Sequence, residues 1–155
     1  MKNPDYQIAV PNRPNYLSNK VIIVDGLVGG GKGMISPIVG SIPKVEMWIH
    51  RGKIEQICGV HHLDNISSDG AVSLLKSWID EEFYNISIVR ETNLRFKDMS
   101  CIFKDARPWR YIARLFQNDG KEAVQRVIDN EFILNVMTHA NTGYSEPIFK
   151  ALEER

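Results

Sequence analysis

Hydrophobic and polar positions divide the chain into short apolar runs and longer segments with helical spacing. The runs 21–24 and 132–137 are almost entirely apolar, and the first is β-branched throughout. This composition is typical of parallel strands that are covered on both faces. The run 45–49 predicts either a further strand or the start of a helix, and 85–90 is equally open between a strand and a continuing helix.

Helical periodicity fills the intervals between these runs. Strands that alternate with helices predict an α/β fold with a parallel sheet. A serine at position 67 or 68 is suited to cap one helix, because its hydroxyl can accept a bond from a first-turn amide. Helices are predicted to begin near Lys32, Lys53, Ser68, Pro108, Lys121 and Glu146. On the helices predicted from Pro108 and from Glu146, the side chains expected to face inward are Trp109, Ile112, Leu115, Phe116, Ile148, Phe149 and Leu152.

The ends of the chain differ from this pattern. Residues 1–19 contain three prolines and four asparagines, which predict an extended arm. Residues 20–155 are predicted to form one domain, because a chain of this size buries one modest core. Only two strands are clear, and the sequence stops after a helix, where an alternating fold would place its next strand. We therefore expect a small, incomplete parallel sheet flanked by helices, with the C-terminal part of the domain lacking.

The first apolar run leads into a glycine-rich loop and a lysine at a predicted helix start. Glycines allow positive φ and bring backbone amides close to an anion, while the lysine and the helix terminus add positive charge. The spacing of Gly26, Gly31 and Lys32 matches the phosphate-loop pattern G-x-x-x-x-G-K. The candidate anion-binding residues are Gly26, Gly29, Gly30, Gly31, Lys32 and Gly33.

The last position of this loop departs from the usual pattern. Gly33 stands where serine or threonine normally ligates the Mg²⁺ of a nucleoside triphosphate. Glycine has no side-chain ligand, so the loop is predicted to hold its anion without that metal contact.

Polar residues follow the second clear strand. Because the carboxyl ends of parallel strands meet at one edge, Thr138, His139 and Asn141 are expected to face the anion held by Lys32. His139 is a candidate general base, since imidazole titrates near neutral pH; the alternative is a histidine bonded to a loop carbonyl. His50 and Arg51 follow the run 45–49. They are expected at the same edge of the sheet if that run forms a strand.

Two further groups of residues have the side chains of a metal site or an anion site. Cys58, His61 and His62 have helical spacing, but no second pair of ligands stands at a suitable distance, so no metal site is predicted. The arginines 107, 110 and 114 share one side of a predicted helix, where they either extend an anion site or form a solvated face.

Composition excludes several classes of partner. Nineteen basic residues balance nineteen acidic ones, so no overall field attracts nucleic acid or an anionic membrane. Cys58 and Cys101 are the only cysteines, which suits a reducing compartment. No apolar run reaches the length of a membrane span. A cytoplasmic protein without nucleic-acid or membrane partners is expected, and its oligomeric state stays open.

Three stretches together resemble sulfotransferase-like proteins of the phosphate-loop superfamily. They are VDGLVGGGKG at 24–33, ETNLRFKDMS at 91–100, and MTH with SEPIF within 137–149. The resemblance implies a three-layer phosphate-loop fold. It also implies transfer of a sulfuryl group from 3′-phosphoadenosine 5′-phosphosulfate to a hydroxyl or amine of a small-molecule or carbohydrate acceptor. Such a donor carries no bridging Mg²⁺, which agrees with Gly33.

The same resemblance assigns roles to individual residues. Lys32 and the loop glycines would hold the 5′-phosphosulfate. Lys32 and, as the candidate general base, His139 are the predicted catalytic residues. Arg90 or Arg95 would hold the 3′-phosphate together with Ser100. The family's usual interval from arginine to serine is eight residues, and neither arginine stands at that distance from Ser100.

Two other functions remain open at this stage. An ATP-dependent small-molecule kinase, using ATP with Mg²⁺, would need Asp25 or another carboxylate as a metal contact and Arg107, Arg110 or Arg114 as a lid. A non-catalytic remnant would bind an anion weakly or pair with a partner through an exposed sheet edge.

Overall fold

The computed structural model describes Leu17 and residues 20–153, and within them the chain forms a small parallel sheet flanked by helices. The extended arm predicted for 1–19 lies outside the described residues, apart from Leu17. The strands are β1 (Val21–Val24), β2 (Val45–Ile49) and β3 (Ile133–Met137). The α-helices are α1 (Lys32–Gly40), α2 (Gly52–His62), α3 (Ser68–Ser87), α4 (Pro108–Arg114), α5 (Gly120–Asn130) and α6 (Glu146–Glu153).

The strand order is β1-β3-β2, and both pairings are parallel. Val24 pairs with Met137, and Ile49 pairs with Val136, so all three strands end at the same edge of the sheet. The predicted α/β class with a parallel sheet is therefore confirmed. This topology brings the loops that follow the three strands to one side of the molecule.

Helices cover both faces of the sheet. Leu134 and Val136 are fully buried in the main core, which includes the inner faces of α3, α5 and α6. Asn135 points to the opposite face, where its side-chain amide donates to the carbonyl of Ser36 in α1 at 3.3 Å. The helix α1 thus packs against the face of the sheet away from the main core.

Two ambiguous stretches have a clear outcome. Residues 45–49 form a strand, whereas 85–87 belong to α3. The cap predicted at Ser67 is confirmed, because its hydroxyl accepts the amide hydrogen of Gly70 at 3.1 Å. The helices predicted from Lys32 and Pro108 also begin at those residues.

The inward face predicted for α4 is wrong in part. Trp109 is 76% exposed and Phe116 is 86% exposed, and Leu115 is also exposed, as is Phe149 in α6. The buried side of α4 is formed instead by Tyr111 and the basic residue Arg114.

Arg114 is buried because it pairs with a carboxylate that is itself fully buried. Its guanidinium donates to both oxygens of Glu46 in β2, at 2.8 and 2.9 Å. Tyr111 donates to the same carboxylate at 2.9 Å and accepts the amide hydrogen of Met47 at 2.7 Å. Burial lowers the pKa of Arg114, but the bonds to Glu46 raise it more, so the arginine stays charged.

Arg107 is also committed to the fold. Its guanidinium donates to the carbonyls of Gly40, Ile42 and Val45, between α1 and β2. The expectation of a solvated basic face, or of a mobile lid, is therefore wrong for Arg107 and Arg114.

Candidate functional site

The loop between β1 and α1 folds around the side chain of Lys32. This residue is only 6% exposed, and its ammonium donates to the carbonyls of Gly26 and Leu27 at 2.6 and 2.7 Å. Two charge-assisted bonds hold the ammonium inside the loop rather than in solvent. The positive charge therefore has a defined position before any anion binds.

The loop ahead of Lys32 contains glycines with positive φ, and the first turn of α1 follows it. Gly29 and Gly31 both adopt φ near +83°, a conformation that costs other residues free energy, and Gly31 precedes α1. The first turn of α1 begins its internal bonding at Met34, whose amide donates to Gly31 at 2.9 Å. The amides of Lys32 and Gly33 precede that bond, where a helix has no internal acceptors. They are suited to an anion.

Packing does not impose glycine at position 33. A Cβ atom there would lie 3.6 Å from the sulfur of Met99, which is an ordinary contact. A Cβ at Gly30 would instead lie 3.0 Å from the carbonyl oxygen of Leu27 and would be crowded. The loop could therefore accommodate a small side chain at 33, so the missing hydroxyl is not a steric requirement of the fold.

Asp25 joins the end of β1 to the loop that follows β3. Its carboxylate accepts hydrogen bonds from the Thr138 hydroxyl at 2.8 Å and from the backbone amides of Asn141 at 3.0 Å and Thr142 at 2.9 Å. The Thr142 hydroxyl donates to it as well. Burial alone would raise the pKa of Asp25, but these hydrogen bonds lower it by more, so its pKa lies well below the usual range.

These contacts correct one sequence expectation. Thr138 and Asn141 were expected to face the anion beside Lys32, but the Thr138 hydroxyl donates to Asp25, as does the backbone amide of Asn141, whose side chain is buried. The carboxylate of Asp25 is also fully engaged, which removes it as the metal contact that an ATP-dependent kinase would need. No sequence signal distinguishes a linking carboxylate from a ligating one at this position.

His139 lies beside a carboxylate rather than a loop carbonyl. Its backbone amide donates to Glu55 Oε1 at 2.6 Å, and its ring Nδ1 lies 3.2 Å from the same oxygen. An ionised carboxylate can only accept, so a hydrogen bond at this distance places a proton on Nδ1. This is the arrangement of a histidine base held by an acid.

His50 completes this group. Its Nε2 lies 3.8 Å from Glu55 Oε1, and its ring meets that of His139 edge-on with 4.5 Å between centroids. Glu55, in the first turn of α2, was not among the predicted site residues. A signal was present, because an acid in the first turn of the helix after β2 must lie at the carboxyl edge of the sheet.

A cavity of about 550 Å³ opens beside this group, at the carboxyl ends of β2 and β3. Its lining includes His139, the predicted general base, together with Arg90 and Ser100, which were predicted to hold a 3′-phosphate. Arg90 stacks over the ring of Tyr84 at 5.7 Å. The Ser100 hydroxyl accepts a bond from Asn93 at 2.8 Å.

Of the other predicted residues, some lie outside the cavity lining and one is part of it. Arg95 is largely exposed, with its Nε 3.8 Å from Asp98, and does not line the cavity. Lys32 and the loop glycines also lie outside the cavity lining. Arg51 lines the cavity and pairs with Glu82 and Glu91.

No protein-family model, no curated protein and no solved structure matches this chain. Among the described residues, no helix has both the length and the apolar composition needed to cross a bilayer. A function for this protein therefore has to be argued from its own residues.

Proposed function

We propose that this protein is a transferase that binds 3′-phosphoadenosine 5′-phosphosulfate and passes its sulfuryl group to a hydroxyl or amine. The observation that carries the proposal is the buried ammonium of Lys32, held in a glycine loop at the start of a helix, next to Gly33. This is an anion site built from amides and one cation, without a side-chain ligand for Mg²⁺ at position 33.

The surrounding residues fit the two charged ends of such a donor. The loop amides and Lys32 suit the 5′-phosphosulfate. Arg90 and Ser100, which share a cavity, suit the 3′-phosphate, because guanidinium and hydroxyl groups both donate to phosphate oxygens. Arg95 is less suited to this role, since it pairs with Asp98 at the surface.

His139 supplies the acid–base chemistry of the proposal. The donor contributes a sulfuryl group, whose bond to the 5′-phosphate oxygen breaks as the acceptor oxygen or nitrogen bonds to sulfur. Nε2 of His139 takes the acceptor's proton, and Glu55 stabilises the resulting imidazolium through Nδ1. The neighbouring cavity has room for part of a small-molecule or carbohydrate acceptor.

The kinase alternative has less support. It requires a metal contact and a cationic lid, yet Asp25 accepts four hydrogen bonds, and Arg107 and Arg114 are bonded within the fold. An anion-binding protein without catalysis would share the loop but would have no need of the His139–Glu55 pair.

Calorimetry with adenosine 3′,5′-bisphosphate in EDTA tests the donor site. We expect binding by the unaltered protein, and Lys32→Ala should weaken it by roughly tenfold or more, because a buried ammonium is lost. Lys53→Ala is the matched control, since Lys53 is an exposed lysine in α2, and should leave affinity within about twofold.

Gly33→Ser adds a second arm, since the structure has room for the hydroxyl. We expect it to keep binding the bisphosphate in EDTA. Absence of binding by the unaltered protein in EDTA, combined with binding of ATP in Mg²⁺, would reject the sulfuryl donor and favour the kinase.

A further inference from the structure

The group His50, Glu55 and His139 combines three side chains from three different elements. His50 follows β2, Glu55 lies in the first turn of α2 and His139 follows β3, so the parallel topology alone brings them together. One ligand atom from each lies within 4.8 Å of the other two. All three side chains are partly exposed, which leaves an approach from solvent.

The spacing of these atoms is close to that of a metal centre. Ligand atoms about 2.0–2.2 Å from a tetrahedral Zn²⁺ lie roughly 3.3–3.6 Å from one another. Glu55 Oε1 lies 3.2 Å from Nδ1 of His139 and 3.8 Å from Nε2 of His50, so the two distances bracket that value. The ligand atoms of the two imidazoles also lie within 4.8 Å of each other.

We propose that His50, Glu55 and His139 form a binding site for a divalent transition metal, with Zn²⁺ as the preferred ion. Two imidazoles and one carboxylate favour Zn²⁺ over Mg²⁺ or Ca²⁺, which take oxygen ligands. Three protein ligands leave the fourth position of a tetrahedral ion open. His50 and His139 line the cavity, so that position is available to water or to a ligand bound there.

A metal at this site would affect the proposed sulfuryl transfer, although the site itself does not depend on that transfer. A metal on Nδ1 of His139 leaves the ring proton on Nε2, so His139 can no longer accept a proton from an acceptor. Zn²⁺ would therefore inhibit the transfer. Binding of the metal can be measured whether or not the protein transfers a sulfuryl group.

A calorimetric titration with Zn²⁺ of protein that has been treated with EDTA and dialysed tests the site. We expect one ion per chain, and visible absorption bands of a tetrahedral centre when Co²⁺ replaces Zn²⁺. His50→Gln and Glu55→Gln should each weaken Zn²⁺ binding by roughly tenfold or more. Glutamine at 55 still has an oxygen that can accept the amide hydrogen of His139, so this variant keeps the local fold.

Two matched variants serve as controls. His62→Gln and Glu122→Gln alter exposed residues elsewhere and should leave Zn²⁺ affinity unchanged. Mg²⁺ and Ca²⁺ should give no heat at the concentrations at which Zn²⁺ binds. Failure of the unaltered protein to bind Zn²⁺ would overturn the proposal. So would His50→Gln and Glu55→Gln variants that bind Zn²⁺ as tightly as the unaltered protein does.

Discussion

At the scale of single residues, Asp25 shows how a charged group at a predicted site serves the scaffold. Its carboxylate receives bonds from two hydroxyls and two amides in the loop after β3. The glycine-rich loop after β1 and the loop of His139 are thereby joined at the carboxyl edge of the sheet. Charged acceptors of this kind are among the stronger hydrogen-bonding groups in proteins.

We expect Asp25→Asn to lower the free energy of unfolding by about 1–3 kcal/mol, because an amide nitrogen cannot accept bonds from Thr142. Urea denaturation followed by circular dichroism measures the loss. Asp129→Asn changes an exposed aspartate of α5 and should alter stability by less than about 0.5 kcal/mol. Equal losses in the two variants would contradict the role given to Asp25.

Residue-level prediction succeeded where a spacing rule exists. The G-x-x-x-x-G-K spacing correctly predicted the strand β1, the positive φ of Gly26, Gly29 and Gly31, and the lysine at the start of α1, whereas Gly30 does not adopt positive φ. Glu55 was missed because its role depends on a contact with His139, which lies 84 positions later in the chain. Such a contact follows from the strand order, and the sequence did not determine that order.

At the scale of elements, α4 departs most from its predicted orientation. Its apolar residues suggested an inner face that included Trp109 and Phe116, yet both are exposed. Tyr111 and Arg114 occupy that position instead, because Glu46 on β2 is fully buried and needs donors. Hydrophobic periodicity could not anticipate this, since a buried charge pair reverses the usual relation between polarity and exposure.

We expect Arg114→Leu to destabilise the protein by about 3–5 kcal/mol, because it removes the bidentate partner of a buried carboxylate. Thermal and urea unfolding measure the effect. Arg126→Leu, at an arginine of α5 that bonds only a surface carbonyl, should cost less than about 1 kcal/mol.

A double variant, Glu46→Leu with Arg114→Leu, separates pairing from packing. It should cost less than the sum of the two single changes, because neither charge is then left without its partner. Additive costs would show that Arg114 stabilises the fold through packing alone.

At the scale of the whole molecule, one exposed carboxylate links the amino ends of all three strands. Glu131 pairs with Lys20 before β1 at 3.1 Å and with Lys44 before β2 at 2.7 Å, and it lies just ahead of β3. Bonds from Lys44 and then Lys20 lower its pKa from 4.5 to about 2. The folded protein therefore favours the ionised form.

We expect Glu131→Gln to reduce stability near neutral pH and the difference from the unaltered protein to vanish in acid. Because the folded pKa is depressed, the contribution is fully present above pH 4.5 and is lost as the pH falls towards about 2. Urea unfolding at several pH values measures this. High salt should reduce the difference, since the groups are exposed; a difference that persists at the lowest pH would contradict the assignment.

The sheet is thus fastened at opposite ends, by Glu131 where the strands start and by Asp25 where they finish. In the transferase that we propose, these two attachments would hold the donor site and the acceptor site at a constant separation before either substrate binds. Neither substrate would then have to position the other, so productive complexes could form in either order of arrival.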